Sequence, residues 1–277
     1  MAVFESIPWL APLLAMLAAG LFAGFAAGLF GIGGGFVVVP ALLIVLPLLG
    51  GSKAEYAHVA IGTSAATIIV TSIRSVTAHA KRGAVDFEIL KSWAPWLVVG
   101  CAIGVVLAGR VDGHILTLIF GTGVVLMSIN FLVPQLSNKV LTDKMPSGAL
   151  RASIAGGLGV FSSLLGIGGG TIAIMVMTLC GRTIHRAIAT ASGMGTLIAI
   201  PTTIGFAIIG FGHKGLPWGS LGYISLPAAV VIASMSVLTA PLGVATAHKL
   251  PSGPLKRIFG LYLIFIGALM IQKALKP

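Results

Sequence analysis

Long uncharged apolar runs alternate along this chain with short polar connections. The first run is Trp9–Phe30. A shorter one, Phe36–Leu49, follows and carries Pro40 and Pro47. Next come His58–Ala78, interrupted by Arg74, then Trp93–Gly109 and Ile115–Val133. After the longest polar connection, Pro134–Ser147, the plan recurs. Leu150–Leu165 leads to the short run Thr171–Cys180. The long runs Ala187–Gly212 and Leu221–Ala247, and a last span Ile258–Ile271, complete it. About 20 apolar residues let a helix cross about 30 Å of hydrocarbon. The long runs therefore predict transmembrane helices. At 1.5 Å per residue the short runs reach only about 20 Å or less, which suits the return limb of a hairpin dipping into the bilayer.

Each short run is preceded by the same glycine stretch, Gly31-Ile32-Gly33-Gly34-Gly35 in the first half and Gly166-Ile167-Gly168-Gly169-Gly170 in the second. Each helical glycine costs about 1 kcal/mol against alanine, so the helix is predicted to break at both places. The repeat extends further. His58-Val59-Ala60-Ile61-Gly62-Thr63 matches His185-Arg186-Ala187-Ile188-Ala189-Thr190. Gly104 and Phe120-Gly121 match Gly243 and Phe259-Gly260. The expected fold is an all-α polytopic membrane protein with two inverted structural repeats, each a broken-helix hairpin plus three transmembrane helices. Three is odd and a hairpin returns to its own side, so the second half enters from the opposite face. The first repeat takes residues 1–134, a cytoplasmic connection takes 135–149, and the second repeat takes 150–277.

Composition supports the membrane assignment: the chain of 277 residues is 57% hydrophobic and 8% charged, against roughly 25% charged in soluble domains. A β-barrel is excluded, because barrel strands alternate apolar with polar. The net charge of +11 does not point to nucleic acid, since Lys and Arg are scattered and never form a patch with interleaved aromatics. Placing the acidic, Lys-free lead outside puts eleven Lys and Arg in inside connections and five outside, with Arg74 in a span, for all 17. That distribution follows the positive-inside rule. The N-terminal run has no basic lead and no clear cleavage site, so it is read as a membrane segment, not a removable signal. Cys101 and Cys180 stand alone in apolar sequence, without metal or disulfide spacing.

Two broken helices in matching halves are a sequence pointer to a transporter's binding site. Glycine turns that open a helix expose amides with no internal partner and a positive dipole end, which favour an anion. The candidate substrate-binding residues are Gly33, Gly34 and Gly35 in one turn and Gly168, Gly169, Gly170 and Thr171 in the other. The competing reading is that these glycines only permit close helix packing. The dinucleotide fingerprint is excluded, because Phe36 stands where its third glycine belongs. Thr63, Ser64 and Thr67, with Thr190 and Ser192, supply uncharged donors for an oxyanion or, equally, interhelical hydrogen bonds. His58 and His185 open equivalent spans, as caps or as gating or proton-linked groups. Arg74, a base within a span, is a functional candidate by default or snorkels to the headgroups. All six acids lie outside the core spans, which argues against a carboxylate proton relay or a cation cage. Neither a nucleophile–base pair nor a metal motif is visible, so the reading is a transporter and not an enzyme, with no cofactor.

The first glycine stretch, Gly28-Leu29-Phe30-Gly31-Ile32-Gly33-Gly34-Gly35 followed by Pro40, resembles the signature of the TauE/SafE sulfite exporter family, also called the toluene sulfonate uptake permeases. The second stretch and Ala60-Ile61-Gly62-Thr63-Ser64 fit the same pattern. The second half departs from it, with Ala189 and Ala191 where the first has Gly62 and Ser64. The resemblance implies an inner-membrane transporter of small sulfur-containing anions such as sulfite, sulfoacetate or other organosulfonates. A negative cell interior favours anion exit by about 2.3 kcal/mol per charge at 100 mV, so export needs no coupling carboxylate. A passive anion channel and a non-transporting scaffold subunit are the competing functions. The small-residue helix faces serve either a homodimer or internal packing.

Overall fold

The computed structural model describes residues 9–132, 140–249 and 252–275. Ten helices follow one another: α1 Leu10–Phe30, α2 Gly35–Leu49, α3 Tyr56–Ala80, α4 Phe87–Ala108, α5 Gly113–Leu132, α6 Gly148–Leu165, α7 Gly170–Leu179, α8 Ile184–Ile209, α9 Leu226–Lys249 and α10 Ser252–Leu275. Seven of them contain stretches long and apolar enough to cross a membrane. The shorter apolar helices are Gly35–Leu49, Gly113–Ile129 and Gly170–Leu179. The protein is an all-α, multi-pass membrane protein. Apolar side chains such as Val99, Ile103, Ile204, Leu238, Leu242 and Phe265 are exposed on its flanks, where hydrocarbon replaces water as the solvent.

Glycine decides which helices meet. α1 lies parallel to α9, with Gly20 against Ile232, Gly24 against Ser236 and Gly28 against Ala240, while Gly243 of α9 faces Phe25. α4 lies parallel to α6 in the same way, with Gly100 against Gly156, Gly104 against Val160 and Gly159 against Leu97. At these points a Cβ would collide with the partner's backbone, and in membranes such close approach supplies the dispersion energy that water-driven burial cannot. Hydroxyls add to the first pair: Ser236 Oγ donates to the Gly20 carbonyl and Thr239 Oγ1 to the Leu21 carbonyl, both at 2.9 Å. The small-residue faces thus serve internal packing.

The same contacts occur in both halves. α1 on α9 corresponds to α6 on α4, and α9 on α3 corresponds to α4 on α8. α3 crosses its counterpart α8 antiparallel, with Ser72 beside Gly195 and Ser75 Oγ donating to Ser192 Oγ at 3.1 Å. α5 pairs antiparallel with its counterpart α10, where Gly121 meets Gly267 and Ile271 and Gly260 meets Phe131 and Leu132. Phe30 and Phe259 stack at this seam and Phe131 meets both edge-on, with centroids 4.7–5.7 Å apart.

Some boundaries differ from the sequence reading. α4 begins at Phe87 rather than Trp93, because Asp86 caps it, its carboxylate accepting from Ile89 N–H at 3.2 Å. α9 begins at Leu226, not Leu221: a small antiparallel hairpin, β1 Ser220–Leu221 with β2 Ile224–Ser225, precedes it. The lead Met1–Pro8, with Glu5, and the cations Lys139 and Lys276 used in the orientation argument lie outside the described residues, as does the start of the central connection. Its later part is tied down, with Leu141 N–H donating to the Leu179 carbonyl at 2.8 Å.

A methyl group is expected to separate these glycines by role. Gly243→Ala, whose new Cβ meets the Phe25 carbonyl, should cost about 1–3 kcal/mol by overpacking. Gly157→Ala, on a helix face with nothing within 4 Å, should be neutral or stabilising. Thermal unfolding of the purified protein in detergent measures both.

Candidate functional site

Both glycine stretches break the helix. α1 ends at Phe30, and Gly31 takes φ 67° while its N–H donates to the Ala27 carbonyl at 2.9 Å. Gly33 and Gly34 follow at φ 80° and 81°, and α2 then starts. In the second stretch Gly166 and Gly169 take φ 63° and 66° before α7 starts. These left-handed values disfavour any residue with a Cβ. Residues 31–36 and 166–171 are all buried.

The two elbows touch. Gly168 N–H donates to the Ile32 carbonyl at 3.3 Å. A Cβ on Gly33 would stand 3.1 Å from Gly168 Cα, and one on Gly168 3.2 Å from Gly33 Cα. Gly35 meets the Gly166 carbonyl, and Gly170 meets the Gly31 carbonyl in the matching way. The elbows rest against the interior of the two long central helices, Gly33 and Gly166 on α3 at Ile68 and Ile61, Gly31 and Gly168 on α8 at Ile188 and Gly195. No backbone carbonyl of the described residues accepts from the amides of Gly35, Phe36, Gly170 or Thr171. The first turns of α2 and α7 therefore carry bare donors and the positive ends of two helix dipoles into the protein interior.

The predicted hydroxyls divide into four groups. Ser64 Oγ donates to the Gly166 carbonyl at 2.8 Å and so steadies the second elbow. Thr63 Oγ1 accepts from Ser225 N–H, and Thr190 Oγ1 accepts from Asp86 N–H, each at 2.9 Å. These are equivalent bonds that hold the chain entering α9 and α4. Thr67 donates to the Ser64 carbonyl and Ser192 to the Ile188 carbonyl along their own helices. The hydroxyl of Thr171, on the first turn of α7, is buried and finds no partner among the described residues.

The histidines and Arg74 make their own groupings. His58 is buried; its Nε2–H donates to the Ala108 carbonyl at 3.0 Å, and its ring stacks on Tyr223 with centroids 4.8 Å apart. Tyr223 shares a hydrogen bond with His213 Nδ1 at 3.1 Å, beside Glu55. At the opposite end His185 stacks on His248, whose Nε2 lies 3.3 Å from His79 Nδ1. The sequence offered no pairing for His79, His213 or His248, because their neighbours come from distant helices. Arg74 is exposed and lines a cavity of about 270 Å³ with Thr77, Ala78, Lys81, Arg82 and Pro241. Its three cations face no acid there. Sequence reasoning also missed Ser72 and Ser162, buried hydroxyls without a partner among the described residues. Reading the two glycine stretches against each other residue by residue points to Ser162, which replaces Ala27.

A polytopic bundle with two interrupted helices meeting in its interior has the architecture of membrane transporters. The sequence profile of the sulfite exporter TauE/SafE family matches residues 16–270, and the chain belongs to that family. It is similar to a probable membrane transporter protein of Haemophilus influenzae, 36% identical over 263 residues that cover 94% of this chain and 98% of the relative. A probable membrane transporter protein of Methanocaldococcus jannaschii is 27% identical over 272 residues, covering 95% and 96%. No solved structure matches the chain. The protein is a membrane transporter.

Two expectations follow. Thr190→Val removes the acceptor of the Asp86 amide and should destabilise by about 1–3 kcal/mol, while Thr190→Ser retains the bond; thermal unfolding separates them. Burial first, and the nearby Glu55 carboxylate second, raise the Tyr223 phenol above its usual range. Its neutral form is favoured in the folded protein, so this stabilisation is present below pH about 10 and lost as pH rises further. Tyr223→Phe should therefore blunt the alkaline fall of the melting temperature between pH 9 and about 11.

Proposed function

We propose that this protein is a secondary transporter that exports small sulfur-containing anions, such as sulfite, sulfoacetate or other organosulfonates, across the inner membrane. The observation that carries the reading is the meeting of two helix starts, with bare amides, deep among helices whose described acids all stand at ends or connections. Amides and hydroxyls hold an oxyanion without a compensating full charge. Such a site binds an anion firmly enough to select it and loosely enough to release it.

The proposal includes two halves inserted in opposite senses. The antiparallel crossings of α3 with α8 and of α5 with α10 support it. Rocking of one half against the other around paired elbows then exposes the site to each side in turn. Export fits the electrostatics. At 100 mV, inside negative, exit of each negative charge gains about 2.3 kcal/mol, close to a fifty-fold gradient. The cation-lined cavity of Arg74, Lys81 and Arg82 concentrates anions near the end where α3 finishes.

Reconstituted vesicles test the reading. Sulfite or sulfoacetate flux is expected to saturate and to be accelerated by the same anion on the far side. Gly34→Val and Gly169→Val should abolish it while the variants still appear in the membrane fraction. Flux that rises linearly with concentration and ignores the far side would assign a channel instead. Absence of flux for every sulfur oxyanion tried would refute the substrate class.

A further inference from the structure

The two elbows are alike in backbone and unlike in surroundings. Four side chains near the second elbow carry hydroxyls: Ser64, Ser72, Ser162 and Thr171. Their counterparts in the other half, by the matched glycines and histidines, are Ala191, Ala199, Ala27 and Phe36. Ser64 is committed to the Gly166 carbonyl. The other three are at most 3% exposed, and their oxygens have no hydrogen-bond partner among the described residues.

Two of these oxygens, Ser162 Oγ and Ser72 Oγ, lie beside the second elbow or the helix packed on it. Ser162 Oγ lies 2.7 Å from the place a Cβ would take on Gly169. Ser72 Oγ lies 2.6 Å from the equivalent place on Gly195, whose Cα is itself 3.3 Å from that place on Gly168. Thr171 sits on the first turn of α7. Around the first elbow the side chains at the equivalent positions are apolar. Ile68, where the other half has Gly195, puts Cγ2 3.0 Å from the Cβ place on Gly33. A hydroxyl on that side, Thr71 in place of Ile198, is spent on the Thr67 carbonyl at 2.9 Å.

We propose that the anion binds on one side of the paired elbows only, at the start of α7, where the amides of Gly170 and Thr171 and the hydroxyls of Ser162, Thr171 and Ser72 donate to it. The first elbow is the wall against which this site is built. A buried hydroxyl without a partner is costly, and three of them on the residues around one helix start, at the positive end of its dipole, suit a group with several acceptor oxygens. A sulfonate or sulfite headgroup supplies three. All the donors are uncharged, and Ile198 and Leu158 close over Gly169, so the site takes the headgroup and at most a short tail. This assignment rests on the transport of sulfur oxyanions proposed above and says where they are held.

Purified full-length protein in detergent, probed with sulfite, sulfoacetate and sulfate by calorimetry and thermal shift, tests it. Ser162→Ala, Thr171→Val and Ser72→Ala should each weaken binding by about ten- to a hundred-fold, as expected for one hydrogen bond to a charged group. Each should leave the melting temperature of the anion-free protein unchanged or raised, because no partner is lost. Thr171→Ser should restore affinity. Ser75→Ala, which breaks the bond to Ser192, should lower the melting temperature without changing affinity. Wild-type affinity in Ser162→Ala and Thr171→Val, or a fall of their anion-free melting temperature like that of Ser75→Ala, overturns the site and leaves the proposed transport standing. A wild-type protein that neither binds nor moves any of the three anions overturns both.

Discussion

The architecture depends on one contact that no side chain can enter, the direct apposition of Gly33 with Gly168 and of Gly35 and Gly170 with the opposite elbow's carbonyls. Gly33 takes a left-handed backbone there, and at all four positions a Cβ would crowd the opposite elbow, so glycine alone fits without strain. Everything near the centre is arranged about this junction. α3 and α8 support it from either flank, Ser64 pins one carbonyl, and α2 and α7 start from it. Irregular backbone at membrane depth survives only when protein surrounds it or it lines a cavity, and the burial of residues 31–36 and 166–171 satisfies that condition.

Much of this was legible in the chain. Uninterrupted apolar runs announced the spanning helices, and tandem glycines announced the two breaks, because the backbone penalty is local and needs no knowledge of neighbours. The correspondence of Thr63 with Thr190 was also visible, though not its use. Both hydroxyls turn out to accept amides from residues that precede α9 and α4, an interaction that depends on which helices become neighbours. The same limit hid the histidine groupings. His79 and His248 are 169 positions apart in the chain, yet their ring nitrogens approach to 3.3 Å. The cap that starts α4 at Phe87 was masked by charge: Asp86, Glu88 and Lys91 read as a polar connection, although the helix merely extends past the apolar zone.

Close likeness between the halves makes their differences informative. Where both halves keep glycine, the requirement is geometric and holds for both elbows. Where one half carries alanine, phenylalanine or isoleucine and the other serine, threonine or glycine, geometry permits either, so the polar choice reflects what that side must contact. Duplicated backbone with divergent lining thus gives two elbows of one geometry in different chemical surroundings.

The exchange of partners between the halves also sets the order in which the protein can be built. α1 is made long before its main partner α9, which begins at Leu226, so α1 waits in the bilayer while the intervening helices are synthesised. α4, by contrast, meets α6 after a short interval. During biogenesis the glycine face of α1 stays open to lipid or to an insertion chaperone, and a truncation ahead of α9 would strand it there. The interleaving that makes the mature bundle one body thus keeps this face uncovered until late in translation, when α9 arrives.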